Sequence, residues 1–156
     1  MNDRPRLQAW RADESGQVAG IEVVPFGLLV FVVGALLVAN AWGVVDAKLA
    51  AEAAAREAAR AYVEAPSAEA ADGDATHAAA EALAGHGRDP ARMELARTEG
   101  SFARCQRVTF EARYPVPVVV VPWVGGLGGG FTVRARHSEL VDPYRAGLAG
   151  RADCAP

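Results

Sequence analysis

Lysine is almost missing from this chain. Lys48 stands alone against 15 arginines and 34 alanines in 156 residues. That bias is an association with GC-rich coding sequence and carries no mechanism. An excess of either sign is also missing: 16 basic and 19 acidic residues leave a net charge of −3, which gives no electrostatic case for binding nucleic acid. Cysteine is reduced to Cys105 and Cys154, with no CxxC pair, and the three histidines are scattered. Too few ligands remain for an ordinary metal site. There is no GxSxG elbow, and the glycines after Val124 lack the Lys and Ser/Thr partners of a phosphate loop. Cys105 and His137 can be paired on paper as nucleophile and base, but no spacing supports it. The sequence thus offers no catalytic constellation, and neither an enzyme nor a cofactor is expected.

What is abundant is apolar sequence, 51% of the chain, and it is unevenly placed. Residues 1–20 form a polar leader with Arg4, Arg6 and Arg11 against Asp3, Asp13 and Glu14. The segment from Val23 to Val45 then holds no charge, and its strongly polar side chain is Asn40. As a helix it would cover ~35 Å, enough for a hydrocarbon core of ~30 Å. Residues 21–45 are therefore expected to form a transmembrane helix. Pro25 would fall in its first turn, where a missing N–H costs nothing. Trp42 would suit the headgroup layer at the far end.

Helix-forming sequence continues through residues 46–65, "DAKLAAEAAAREAARAYVEA". Lys48–Glu52, Glu52–Arg56 and Arg60–Glu64 are opposite charges at i,i+4. Leu49, Ala53, Tyr62 and Val63 make a weak apolar stripe, and Pro66 ends the run. This predicts one rod of ~65 Å from residue 22 to residue 65, a span continued as a stem. Residues 66–90 read as a linker with a short helix over about 74–84, ending at Gly85. His77 and His86 there read as solvated side chains.

Within residues 91–156 the period changes to two. Met93 and Leu95, then Val108, Phe110, Ala112 and Tyr114, then Phe131, Val133 and Ala135 alternate with polar residues. Alternation of this kind marks half-buried strands. The fold class expected is α+β: a long N-terminal helix, a short accessory helix and a small antiparallel sheet packed on the stem. A disulfide between Cys105 and Cys154 is the simplest use of two cysteines in an exported domain. It would contribute up to ~4 kcal/mol in the chain-entropy model. Between the second and third strands lies "PVPVVVVPWVGGLGGG", whose prolines argue against a regular central strand. A loop this apolar covers its own sheet, meets a partner or touches the membrane. Val121, Trp123, Val124 and Leu127 are the candidate contact residues.

Arginine and lysine number three within twenty residues on each side of the span (Arg4, Arg6, Arg11; Lys48, Arg56, Arg60). The positive-inside rule is nearly silent. The cysteines and the strand-rich tail favour a cytoplasmic N-terminus and an extracytoplasmic C-terminal domain. "ANA" at residues 39–41 matches an A-x-A cleavage site, so a secreted protein released after Ala41 is an alternative. An unprocessed, membrane-anchored binding module is another.

The order of these features resembles the TadE-like minor pilins of Flp/tight-adherence systems. A polar leader, a glycine, a Glu at the mouth of an apolar span, and "LAAEAAAREAARAYVEA" carry the likeness. So do "VTFEARYPVPVVVVPWVGGL" and "FTVRARHSELVDPYRAGL" in the tail. The resemblance covers residues 13 to about 148. It implies a pilin-like membrane subunit in pilus or secretion-system assembly, with other pilin-like subunits and a prepilin peptidase as partners. It makes Gly16 or Gly20 the cleavage residue. Glu22 would then be the acid that pairs with a neighbouring subunit's new N-terminal amine and fixes axial register. Glu22 is the sixth residue after Gly16 and the second after Gly20, whereas the family's usual position is the fifth.

Overall fold

The computed structural model describes residues 23–117, 119–121, 123–127, 130–148 and 152–154. Over these described residues the fold is α+β: two α-helices, a three-stranded antiparallel sheet and a separate two-stranded one. The chain divides into two compact units, residues 1–39 and residues 40–156.

Helix α1 runs from Val23 to Glu64. Pro25 sits in its first turn and the next proline is Pro66, so nothing interrupts the hydrogen-bond ladder between them. Up to Ala39 its large side chains are mostly exposed, including Val24, Phe26, Phe31 and Val38. This helix is long and apolar enough to cross a membrane, and its most apolar window has no buried residue. Past Val45 the helix changes character. Ala47, Ala50, Ala51, Ala54, Ala55, Ala58 and Ala59 are fully buried, and Tyr62 nearly so. These positions recur every three or four residues, so they lie along one face. Lys48, Glu52, Arg56, Arg60 and Glu64 repeat every four residues outside that face. The expected stripe of Leu49, Ala53, Tyr62 and Val63 is thereby corrected. Leu49 is 52% exposed, and the buried face is built of alanine with Tyr62.

Helix α2 spans Ala68–Gly85 and begins a turn and a half before the expected 74. Asp72, Gly73 and Asp74 are poor helix formers, yet two contacts outweigh them. The Ser67 hydroxyl accepts from the Ala70 N–H, and Ala71, Ala75, Ala79 and Leu83 bury one i,i+4 face. After Gly87 the chain places Arg88 against α1. Its guanidinium donates to Asp46 Oδ2 at 2.5 Å and to the Gly43 carbonyl at 3.1 Å.

Strands β1 (Glu94–Glu99), β2 (Arg107–Val116) and β5 (Phe131–Leu140) pair antiparallel in the order β1–β2–β5. Leu95 faces Ala112 across one ladder and Ala135 faces it across the other. Val108, Phe110, Ala112 and Tyr114 point to the core with Val133 and Ala135, as the alternation predicted, and Val116 joins them; Phe131, expected on the same face, is 40% exposed at the end of β5. They share one buried cluster with the alanine faces of both helices. Tyr62 joins helix to sheet, its ring 5.4 Å from Phe110 and 5.7 Å from Phe102. Pro115 lies inside β2, contrary to the reading of its segment as irregular. The β1 ladder stops at Arg113, so Pro115 has a strand neighbour on the β5 side only; its other side is an open edge, the setting in which a sheet tolerates a missing donor. The rest of that apolar segment forms a hairpin, β3 (Val119–Val121) with β4 (Gly125–Leu127).

The tail is tied down by charge-assisted and covalent links. Cys105 and Cys154 form a disulfide with Cα atoms 5.2 Å apart. Arg104 donates to the carbonyls of Leu148 and Pro143. Arg145 donates to the carbonyls of Val63, Glu64 and Ala65, satisfying the orphan acceptors at the end of α1.

Candidate functional site

The uncharged segment of α1 ends at Val45, and its last six residues, Asn40–Val45, belong to the same unit as the sheet. Polar groups converge there. Asp46 is the first charge after the segment, and Arg88 covers it. Two residues on, Lys48 pairs with Glu52 at 3.4 Å and donates to the carbonyl of Arg134 in β5. These contacts hold α1, α2 and the sheet together at the end of the apolar run.

Asn40 explains its own place in that run. Its Oδ1 accepts from the Val120 N–H at 2.5 Å, and its Nδ2 donates to the Val120 carbonyl at 3.3 Å. Outward-facing groups alternate along an antiparallel strand. Val120, central in the three residues of β3, turns both its polar groups to the helix, and one amide meets both. A carboxamide among apolar side chains is costly without partners; the strand supplies them.

The hairpin carries the sequence-predicted contact residues. Val121 pairs with Gly125 and Leu127 with Val119 in the backbone ladder. Trp123 occupies the turn at φ +66 and is fully exposed, and Val124 is exposed beside it. A left-handed turn position usually takes glycine or asparagine; here it presents the largest side chain to the outside. Val120 adds a half-exposed apolar surface. This loop does not cover the sheet with Trp123, one of the three uses open to it from sequence.

The outer face of the sheet holds a group that sequence reasoning missed. Glu111, on the central strand, is 1% exposed. Arg113 and Arg136 each bring a guanidinium to one of its carboxylate oxygens. Arg113 first, then Arg136, holds the Glu111 carboxyl below the usual range, against the opposing effect of desolvation. The signal was available: Glu111 and Arg136 face each other across β2 and β5 once the register is set. Beside them Thr109 bonds Ser138 at 2.9 Å and Glu99 at 3.1 Å. The acid is neutralised and enclosed, as in a structural ion cluster.

Near the end of α1 a half-open hollow of about 270 Å³ is lined by Pro66, Ser67, Phe102, Arg145 and Leu148. Its cation, Arg145, is already committed to the helix carbonyls. Among the described residues no cluster of three or more His, Cys, Asp or Glu side chains is placed to hold a metal. Gly16, Gly20 and Glu22, the processing and register residues, lie outside the described residues. Ala41 lies inside α1, in mid-helix. Cys105 and Cys154 are brought together. In comparisons with protein-family models, curated proteins and solved structures, nothing matches this chain.

Proposed function

We propose that this chain is a non-enzymatic, single-pass membrane subunit of the TadE-like, pilin-related kind, taking part in Flp-type pilus or secretion-system assembly. Its partners are other pilin-like subunits, and a prepilin peptidase matures it. The N-terminus is cytoplasmic and the disulfide-closed domain extracytoplasmic. One observation carries this reading: a single helix, Val23–Glu64, passes from an exposed apolar span into an alanine-faced stem that carries a small sheet. A helix of this build gives an anchor, and the exposed apolar side chains of its N-terminal part give a packing surface, without any reactive group. Glu22, at the mouth of the span, is the register acid in this reading. Its carboxylate pairs with the ammonium that cleavage after Gly16 or Gly20 creates on a neighbour.

The exposed Trp123 turn favours a second reading, an unprocessed anchored module that binds through its hairpin. N-terminal sequencing of the protein from membranes of its native host separates the two. A start at Gln17 or Ile21 is the expected result. A start at Met1 or Asn2 supports the unprocessed module, and a start at Trp42 in the culture fraction would make it a secreted protein and end the pilin reading.

A further inference from the structure

We propose that the β3–β4 hairpin is a second membrane contact, laying Trp123 and Val124 into the headgroup layer of the bilayer that α1 crosses. The proposal rests on the membrane-spanning part of the reading above and not on the pilus. Its basis is the level at which the hairpin is tethered. Asn40 grips both backbone groups of Val120, and Asn40 lies five residues before Val45, the last residue of the uncharged segment. At 1.5 Å per residue this is ~7.5 Å back from the end of the apolar run. A run of ~35 Å overhangs a ~30 Å core by a few Å, so the level of Asn40 falls ~3–5 Å inside the acyl–headgroup boundary, within reach of that boundary for an indole on the adjoining turn.

The chemistry of the hairpin suits that level. Backbone groups at the edge of a strand are expensive near hydrocarbon unless satisfied within the protein, and Asn40 satisfies those of Val120. Trp123 is fully exposed, and an indole with an apolar body and one N–H donor is favoured at the headgroup level. Val120 and Val124 extend the apolar surface beside it. The hairpin carries no charged residue from Pro115 to Gly130, so nothing on it resists the boundary. Trp42, exposed on α1 two residues from Asn40, is an aromatic at nearly the same axial position. Two contacts on separate elements fix depth and rotation of the domain against the lipid surface, which a lone helix leaves free.

The test uses the full chain in phosphatidylcholine vesicles with no other protein present. The double variant Trp10→Phe, Trp42→Phe leaves Trp123 as reporter; Trp10→Phe, Trp123→Phe leaves Trp42. Each is measured in lipid brominated near the carbonyl, in lipid brominated near the chain end, and with aqueous iodide. The expected result is a roughly 2-fold loss of Trp123 emission in the shallow-brominated lipid, a smaller loss in the deep one and weak iodide quenching. Trp123 quenched by iodide and untouched by both lipids, while Trp42 is lipid-quenched, would overturn the proposal. It would leave the span standing and the hairpin free for a protein partner. Neither tryptophan quenched by lipid would overturn the membrane reading together with the proposal.

Discussion

Replacing Tyr62 by alanine tests whether the stem and the sheet form one cooperative unit. The ring is 2% exposed, edge-on to Phe102 and tilted on Phe110, with the Arg97 guanidinium 5.2 Å from its centroid. An aromatic side chain buries ~200 Å² at ~25 cal/mol per Å², which puts an upper estimate of ~5 kcal/mol on its burial. Aromatic-to-alanine changes in cores typically cost ~3–5 kcal/mol, so a loss of ~4 kcal/mol is expected. A small domain has ~5–15 kcal/mol in all, so this variant should sit near its unfolding limit. Tyr62→Phe keeps the ring and should lose only ~1 kcal/mol. The assay is urea unfolding of both variants in detergent micelles, disulfide intact, followed by near-ultraviolet circular dichroism. A loss under ~1.5 kcal/mol for Tyr62→Ala would refute the reasoning, because it would mean the helix end is not packed on the sheet.

Three further outcomes follow from named contacts. The double variant Cys105→Ser, Cys154→Ser frees a loop with a sequence separation of 49; urea midpoints should show a loss of up to ~4 kcal/mol. The Glu111 carboxyl is depressed in the folded state by Arg113 and then Arg136. Its stabilising contribution is therefore complete above the ordinary carboxyl value and is lost as pH falls through the lower folded value. Acid titration of stability should show a limb there that Glu111→Gln flattens, and an unchanged limb would remove the clamp from the account. Gly100 sits at φ +78, where a Cβ would lie 2.1 Å from the Arg107 carbonyl oxygen. Gly100→Ala should cost ~2 kcal/mol or more by thermal melting.

The strands were readable because alternation reports burial directly: Val108, Phe110, Ala112 and Tyr114 all face the core. The long apolar helix was readable because residues 23–45 are continuously uncharged and hold no proline past the first turn. The stem face was not, since alanine lies on every side of α1 and apolar periodicity is silent there. A usable signal was the inverse one: charges at 48, 52, 56, 60 and 64 mark the face turned away. The start of α2 was hidden by Asp72, Gly73 and Asp74, whose weak propensity is overridden by burial of Ala71 and Ala75. Asn40 and Glu111 needed the third dimension. Asn40 meets a strand 80 residues away, and Glu111 is defined by a partner 25 residues on.

Arg145 reaches back 80 to 82 residues to close the carbonyl end of α1. Cys105 waits 49 residues for Cys154. A chain made from its N-terminus therefore completes its stem helix long before the residues that seal it exist. Until β2, β5 and Arg145 arrive, the alanine face has no cover of its own. Order of synthesis thus makes the sheet the last part of the core to close, and the stem the part that waits longest for its packing.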